Sequence, residues 1–432
     1  RNMSELSELA DEERAEEDIK ITLDTLQGWW ENMSVRTGMV LVKHDAVFIR
    51  NKKRADPIQI ISHREVRWGQ FSGIVKSNRR VISWSPGNIT WSYIGKLPDQ
   101  YDAETDTGRW QYDAFLGKGA HGCVYAVEEA RRLNGINGHA APSRKLALKV
   151  LRSFCDDSKK RNHEDVFKLH QEFQWSHLLL HNKTHEHYHS ERASLIVEYL
   201  EDHTGFPSAD TVTVFTPDVA AWLKDASNFS AQPYVVMEYA NGTLMWDVLS
   251  KHEQRLTFED KGKIMQQTAM ALDYMAKFNL AHRDLRLHNM LVSRGENNCK
   301  IKILDLGRVA SKTVREVFSF SPRDEAQWRL RDWIPWEEWV IEGKPKQKNS
   351  YSAPSFDIFS MGVILLYLCV GQAEARNILD ECRKGKCHLT SEISKKMVLD
   401  GDLVLRMVSK DPAERPEADE ILSAFASKRR KL

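Results

Sequence analysis

Long apolar runs are missing from this chain. The longest, Phe359 to Val370, falls well short of the ~20 residues a bilayer-crossing helix needs and suits a buried core helix instead. No N-terminal signal-peptide pattern is present. The chain opens on Arg1 rather than Met, which leaves an earlier start open. Cysteine is scarce: Cys123, Cys155, Cys299, Cys369, Cys382 and Cys387 follow no framework spacing. That usage fits a reducing compartment, so a cytoplasmic location is expected. Cys382 and Cys387 stand too far apart for a Cys-x-x-Cys redox or zinc knuckle. Net charge is nearly absent too, at +1, which gives no electrostatic argument for nucleic acid or a membrane as partner.

Charge is uneven along the chain, however. Residues 5–18 carry eight acids and one base, Arg14, while the chain ends Lys428-Arg429-Arg430-Lys431. The first reads as a solvated acidic helix over 1–27 with a thin apolar stripe (Leu6, Leu9, Ile19, Leu23, Leu26). The second, at 426–432, reads as a frayed tail or, alternatively, a short nuclear-import signal.

Hydrophobic residues make up 41% of the 432, enough for substantial cores, and at about 150 residues per domain the length allows two or three units. Over 28–98, short β-type runs (Met39–Arg50, Ile58–Ser62, Val66–Trp68, Gly73–Val75, Val81–Trp84, Ile89–Ile94) alternate with turn signals such as Ser85-Pro86-Gly87-Asn88. They predict a small antiparallel β domain with Trp68, Trp84 and Trp91 in its core; a ligand or partner surface is the sharper alternative, with no ligand named. Residues 99–110, rich in Asp and Thr, read as a linker. From Gln111 a β-rich stretch, a helix near Asp165–Leu180 and a largely helical half from Leu244 predict a two-lobed α+β domain.

Three motifs in that domain carry chemistry. In Leu116-Gly117-Lys118-Gly119-Ala120-His121-Gly122-Cys123-Val124, three glycines would let the backbone approach phosphates. Because Val124-Tyr125-Ala126-Val127 continues as a strand, the loop reads as a hairpin flap rather than a helix N-terminus, with Val124 packing on a flat base. In Leu146-Ala147-Leu148-Lys149-Val150 a lysine interrupts an apolar strand, and burying an ammonium is costly unless it is paired. Glu172 is available, on a helix whose Val166, Leu169, Phe173 and Leu180 follow helical spacing. The third is His282-Arg283-Asp284-Leu285-Arg286-Leu287-His288-Asn289, followed by Asp305-Leu306-Gly307. Two carboxylates and an amide at this spacing suit phosphoryl transfer: one Asp orients the attacking hydroxyl, and the Asn and the other Asp offer magnesium hard oxygen ligands.

In this order the motifs resemble the eukaryotic protein kinases over about 111–425. Tyr234-Val235-Val236-Met237-Glu238-Tyr239-Ala240 is similar to that family's strand and hinge, Trp333-Ile334-Pro335-Trp336-Glu337 stands where the family has Ala-Pro-Glu, and Asp357–Gly362 looks like the helix anchoring the catalytic loop. The resemblance implies ATP and Mg2+ as cofactors and protein substrates as partners. It implies Asp284 as catalytic base, Asn289 and Asp305 as magnesium ligands, Lys149 on the phosphates positioned by Glu172, and Arg286 steadying the transferred phosphate. Gly117, Gly119, Gly122, Val124, Ala147, Met237, Glu238 and Ala240 would surround the nucleotide, and Arg415 would pair with Glu337. Leu306 stands for the usual Phe and Trp336 for a proline; neither removes a catalytic group. Arg286 and Trp333 also resemble tyrosine kinases, and Trp333 their tyrosine-kinase-like serine/threonine relatives as well, so these residues leave the acceptor open; serine/threonine transfer is the expectation because it is the commoner activity in the family, with tyrosine or dual specificity as alternative. A pseudokinase scaffold and a small-molecule phosphotransferase are the other readings; Arg283, Glu337 and Arg415 favour the protein kinases over the last. Ser311, Thr313, Ser319 and Ser321 lie in the expected activation segment, where phosphate on Ser319 or Ser321 would pair with Arg283. The histidines His177, His181, His185, His187 and His189 suggest a polar insertion over 181–232, with a metal site as alternative.

Overall fold

The computed structural model describes residues 28–32, 38–43, 46–49, 52–54, 56–61, 65–76, 81–85, 89–95, 97–99, 108–118, 122–129, 144–151, 163–206, 232–250, 256–295, 299–311, 332–335, 353–386 and 388–429. The acidic 1–27 stretch, Gly119, residues 130–143, the segment 312–331 with Thr313, Ser319 and Ser321, and Trp336 and Glu337 lie outside them, as do most of 99–110 and the last three residues of the tail. The chain divides into two compact units, one of residues 1–170 and 200–239, the other of 171–199 and 240–432.

The first unit opens with nine antiparallel strands: β1 (Gly28–Asn32), β2 (Gly38–Lys43), β3 (Ala46–Ile49), β4 (Lys52–Lys53), β5 (Ile58–Ile60), β6 (Glu65–Trp68), β7 (Phe71–Lys76), β8 (Val81–Ser85) and β9 (Ile89–Gly95). The Met39–Arg50 run divides into β2 and β3, because Lys43 pairs with Ala46 across a two-residue connection. Strand β1 adds a pairing partner for both β2 and β9 that no alternation in the sequence announced. The strand order is β4-β3-β2-β1-β9-β8-β7-β6-β5. Consecutive strands β4 and β5 thus form opposite edges. Eight inter-strand steps of a flat sheet span about 38 Å, whereas the five Cα steps from Lys53 to Ile58 reach about 18 Å at most. The sheet therefore curls until its edges approach. Trp30, Val42, Val47, Ile58, Val66, Ile82 and Trp84 form one buried cluster inside it. Trp68 stacks on Phe71 at 5.9 Å and meets Trp84 edge-on; the side chain of Trp91 lies outside the description.

Gly73 makes room for that cluster: a Cβ there would stand 2.7 Å from Ile82 and 2.8 Å from the Trp84 ring. Gly73→Ala is expected to lower stability by about 1–3 kcal/mol through overpacking, read as a fall in the thermal midpoint of the β domain.

A second antiparallel sheet follows, from β10 (Trp110–Lys118), β11 (Gly122–Glu129), β12 (Lys145–Leu151), β13 (Tyr199–His203) and β14 (Tyr234–Glu238), in the order β10-β11-β12-β14-β13. Trp110, at the end of the expected linker, instead opens β10 fully buried, with its Nε1 donating to Tyr234 Oη. Period-2 alternation sorts the sheet's faces. Tyr125, Val127, Leu146, Leu148, Val150, Tyr234 and Val236 join Trp110, Tyr112 and Phe115 in one core. Helix α1 (His163–His181) then runs from the first unit into the second.

The second unit is mostly helical: α2 (Ser190–Ala193), α3 (Met245–Ser250), α4 (Phe258–Lys277), α5 (Ala353–Val370), α6 (Gln372–Arg383), α7 (Ser391–Lys396), α8 (Gly401–Met407) and α9 (Ala418–Arg429). Short strands complete it: β15 (Thr243–Leu244), β16 (Leu280–Ala281), β17 (Met290–Arg294), β18 (Cys299–Ile303) and β19 (Ala310–Ser311). Helix α4 starts at a capping box in which Thr257 and Asp260 satisfy each other's backbone N–H. The apolar run Phe359–Val370 lies in α5, buried nearly throughout in the main core with residues of α4, β17 and β18. Among the described residues no helix is long and apolar enough to cross a membrane. The whole is an α+β protein with an antiparallel sheet ahead of a two-lobed domain.

Two expectations change. Residues 181–206 are not simply a polar loop: they hold α2 and β13, with Ile196, Val197 and Tyr199 buried. Cys123, Cys299 and Cys369 are free and buried, but Cys382 is disulfide-bonded. At the end of α6, Gly385 (φ 74°) turns the chain so that Lys386 N donates to Glu381 O. Gly385 N also donates to Cys382 O, which completes a Schellman-type closure of the helix.

Candidate active site

Strand register assembles the first unit's share of the predicted site. Across β11, β12 and β14, Val124 faces Lys149 and Lys149 faces Val235, while Ala126 faces Ala147 and Ala147 faces Met237. Paired residues share a face, so Val124, Ala147, Lys149 and Met237 lie together on the face opposite the Tyr125 core. Gly122, paired with Leu151, joins that face. A Cβ there would meet Val150 O at 2.7 Å, so β11 and β12 pack too closely for a side chain. Gly117 sits beside an irregularity in the β10–β11 register with open space around it. Glu238 ends β14, and Ala240 follows it as the first residues of the second unit begin.

In the second unit the chain around Asp284 is fixed from behind. Asp357, on α5, accepts from His282 N at 2.6 Å and Arg283 N at 2.8 Å. Burial pushes the Asp357 carboxyl above the ordinary carboxylate range, although these donors and the neighbouring His282 and Arg283 oppose the shift. Arg283 takes a left-handed conformation (φ 62°), as does Asp305 (φ 60°). Non-glycine residues adopt it rarely, at a cost of about 1–3 kcal/mol, and such positions cluster at functional sites. His282 Nε2 lies 3.0 Å from Leu304 O, and Leu304 N donates to Asn289 O at 2.8 Å. The two stretches bearing Asp284 and Asp305 are thereby tied together, although they lie apart in sequence.

Asn289 Nδ2 donates to Asp284 Oδ2 at 2.9 Å and to Asp284 O at 2.8 Å. Arg286 Nε stands 3.5 Å from Oδ2, at ion-pair range without hydrogen-bond alignment. On the other oxygen, Trp333 Nε1 donates to Oδ1 at 3.2 Å and Arg308 Nη1 lies 4.0 Å away. Neither Trp333 nor Arg308 was expected beside Asp284. Asp305 Oδ1 accepts from Gly307 N at 3.3 Å. A Cβ on Gly307 would stand 2.7 Å from Glu172 Oε1 and 3.1 Å from Asp305 Oδ1, so only glycine leaves both acids their place. Glu172 accepts from Tyr199 Oη at 2.6 Å, and burial beside Glu172 and Asp305 holds that phenol well above its usual range. Lys149 belongs to the first unit and Glu172 to the second.

The donor set fits magnesium. Asn289 spends its amide N–H on Asp284, which leaves the carbonyl as its remaining acceptor, and Asp305 adds a carboxylate. One or two protein oxygens completed by phosphates and water is the coordination magnesium favours.

The histidine group is different. His177 and His181 rings lie 4.9 Å apart, His181 pairs with Glu198, and His185 stacks on Phe278 at 4.1 Å. Among the described residues no group of three His, Cys, Asp or Glu side chains could hold a metal ion. Arg415 is buried, donates to Ser409 O and Ser355 O, and lies 5.0 Å over the Phe359 ring; its expected partner Glu337 lies outside the described residues.

A family model for the protein kinase domain matches residues 110–425. The chain is 28% identical over 196 residues to the human SNF-related serine/threonine-protein kinase, covering 44% of this chain and 23% of that protein. It is 27% identical over 197 residues to protein kinase kin1 of Schizosaccharomyces pombe, 44% of this chain and 20% of that protein. To the calcium/calmodulin-dependent protein kinase cmkA of Emericella nidulans it is 23% identical over 209 residues, 46% of each. The matched region thus spans about a quarter of the SNF-related relatives' length. With the family model covering well over half of its residues, the chain belongs to the protein kinase domain family.

Proposed function

We propose that this protein transfers the γ-phosphate of ATP to hydroxyl groups of protein substrates, on serine and threonine. The observation that carries the reading is the Asp284 carboxylate, held by Asn289 and flanked by Arg286, in a loop tied to the Asp305 stretch. Asp284 accepts the proton of the acceptor hydroxyl and aims its oxygen in line with the phosphorus. Arg286 balances charge on the phosphoryl oxygens. Lys149, on the glycine-flap face with Val124, Ala147 and Met237, contacts the phosphates, while the Glu238 and Ala240 backbones meet the adenine edge. Asp305 and Asn289 hold magnesium, which when bound neutralises phosphate charge. Serine/threonine transfer is supported by the names of the SNF-related relatives.

The test is transfer of labelled phosphate from ATP by the full chain, offered generic protein substrates, a tyrosine copolymer and small alcohols. Label on serine and threonine that disappears with EDTA is the expected result. Label on tyrosine would overturn the acceptor assignment. Label confined to small alcohols, or no transfer at all, would overturn the reading itself.

A further inference from the structure

We infer that Trp333 is a positioning residue for Asp284, and that its indole sets the carboxylate and the Arg286 guanidinium together. The inference rests on the phosphotransfer reading and adds to it a residue that reading does not contain. A carboxylate turns easily about its last side-chain bond, because that torsion is broad. One donor on one oxygen leaves the plane free to swing. Here the donors arrive on both oxygens: Asn289 Nδ2 on Oδ2 at 2.9 Å and Trp333 Nε1 on Oδ1 at 3.2 Å. Together they fix the plane. Each carboxylate oxygen accepts two hydrogen bonds, and Arg308 at 4.0 Å lies outside hydrogen-bond reach of Oδ1. One lone pair of Oδ1 thus stays open to the acceptor's hydroxyl, already oriented. The same indole lies under Arg286, whose guanidinium carbon sits 5.0 Å from the ring centre. A planar cation over an aromatic face is attracted to it.

The indole is itself held in place. Ser360 Oγ donates to Trp333 O at 2.8 Å. Next to it Asp332, buried, accepts from Tyr367 Oη and from Arg376 Nε at 3.1 Å. Ile334 and Pro335 are buried on its other side. Helix α5 therefore holds the Trp333 carbonyl, and α5 and α6 together hold the side chain of its neighbour Asp332, which anchors the indole's reach to Asp284.

The experiment compares Trp333→Phe, which keeps the ring under Arg286 and deletes the N–H, with Asp284→Ala and the double variant. A hydrogen bond to a charged group supports a loss of about tenfold or more. The expected result is a kcat lower by that factor in Trp333→Phe, with the KM for ATP within about twofold and the thermal midpoint unchanged. In the Asp284→Ala background, Trp333→Phe should cost nothing further, because the group it acts through is gone. An unchanged kcat, or the same loss in both backgrounds, would overturn the inference. A second arm needs no activity: the indole ¹H–¹⁵N resonance that Trp333→Phe removes should move in Asp284→Ala. If the wild type transfers no phosphate, the functional reading fails, and this resonance still decides the contact, since a peak that stays put refutes it.

Discussion

Asp284→Asn is expected to lower phosphate transfer by about 10²–10⁴, the usual loss when a positioned general base is removed, while the protein stays folded. The substitution barely changes volume. It does change hydrogen bonding: Asn289 Nδ2 and Trp333 Nε1 both donate toward position 284, and an amide offers one acceptor oxygen where a carboxylate offers two. Whichever way the amide turns, one of these donors meets an NH₂ group. On the proposed reading the variant therefore loses the base and part of its orientation together. Initial rates with saturating ATP, beside a circular-dichroism melt, check both halves. A melt near the wild type with rates unchanged would show that Asp284 does not act as base.

Asp357→Ala is expected to be the most damaging change to the fold of the second unit. It strips the acceptor from two buried backbone donors, His282 N and Arg283 N. An unsatisfied buried donor costs about 1–3 kcal/mol, so a loss of about 2–6 kcal/mol follows, against a total stability of about 5–15 kcal/mol for a typical protein. The loop also relaxes. Arg283 is held at a φ of 62°, a conformation that persists only while its surroundings enforce it. With the clamp gone, Asp284, the next residue, loses its fixed direction. Urea denaturation should show a lower midpoint, and activity should fall even under conditions where the variant is fully folded. Asp357→Asn, which keeps one acceptor oxygen, should lie between the two. If Asp357→Ala matches the wild type in both measurements, the loop is held by something other than this carboxylate.

Much of the architecture is legible because its causes are local. Alternation of side chains along Val81–Trp84 or Leu146–Val150 follows from the two-residue period of a strand, and the helical spacing of Val166, Leu169 and Phe173 from the 3.6-residue period of a helix. The apolar Phe359–Val370 run had nowhere stable to go but a core. The chemistry-bearing motifs were legible for the same reason: Asp284 and Asn289 lie within one loop, and their hydrogen bond joins residues five apart. What stayed hidden depends on residues far apart in the chain. The nine-stranded sheet curls because β4 and β5, neighbours in sequence, sit at opposite edges, and edge order is a property of pairing rather than of any one run. Strand β1 has no clear alternation and is defined by its partners β2 and β9.

The sequence by itself pointed to the family, through the resemblance its ordered motifs carry, to the α+β class, and to which acids, amide and cations stand near one another in the loop of residues 282–289, because these are written in short-range patterns. Only the tertiary structure decided that Val124, Ala147, Lys149 and Met237 share one face, through the registers of three strands. It also decided that Asp357 clamps His282 and Arg283 across more than seventy residues, that Tyr199 meets Glu172, and that the indole of Trp333 reaches Asp284 across 49 positions. The physical reason is common to all four. A hydrogen bond or a shared face has a range of a few ångströms in space and none in sequence, so it exists only once packing of the core has brought the two ends together.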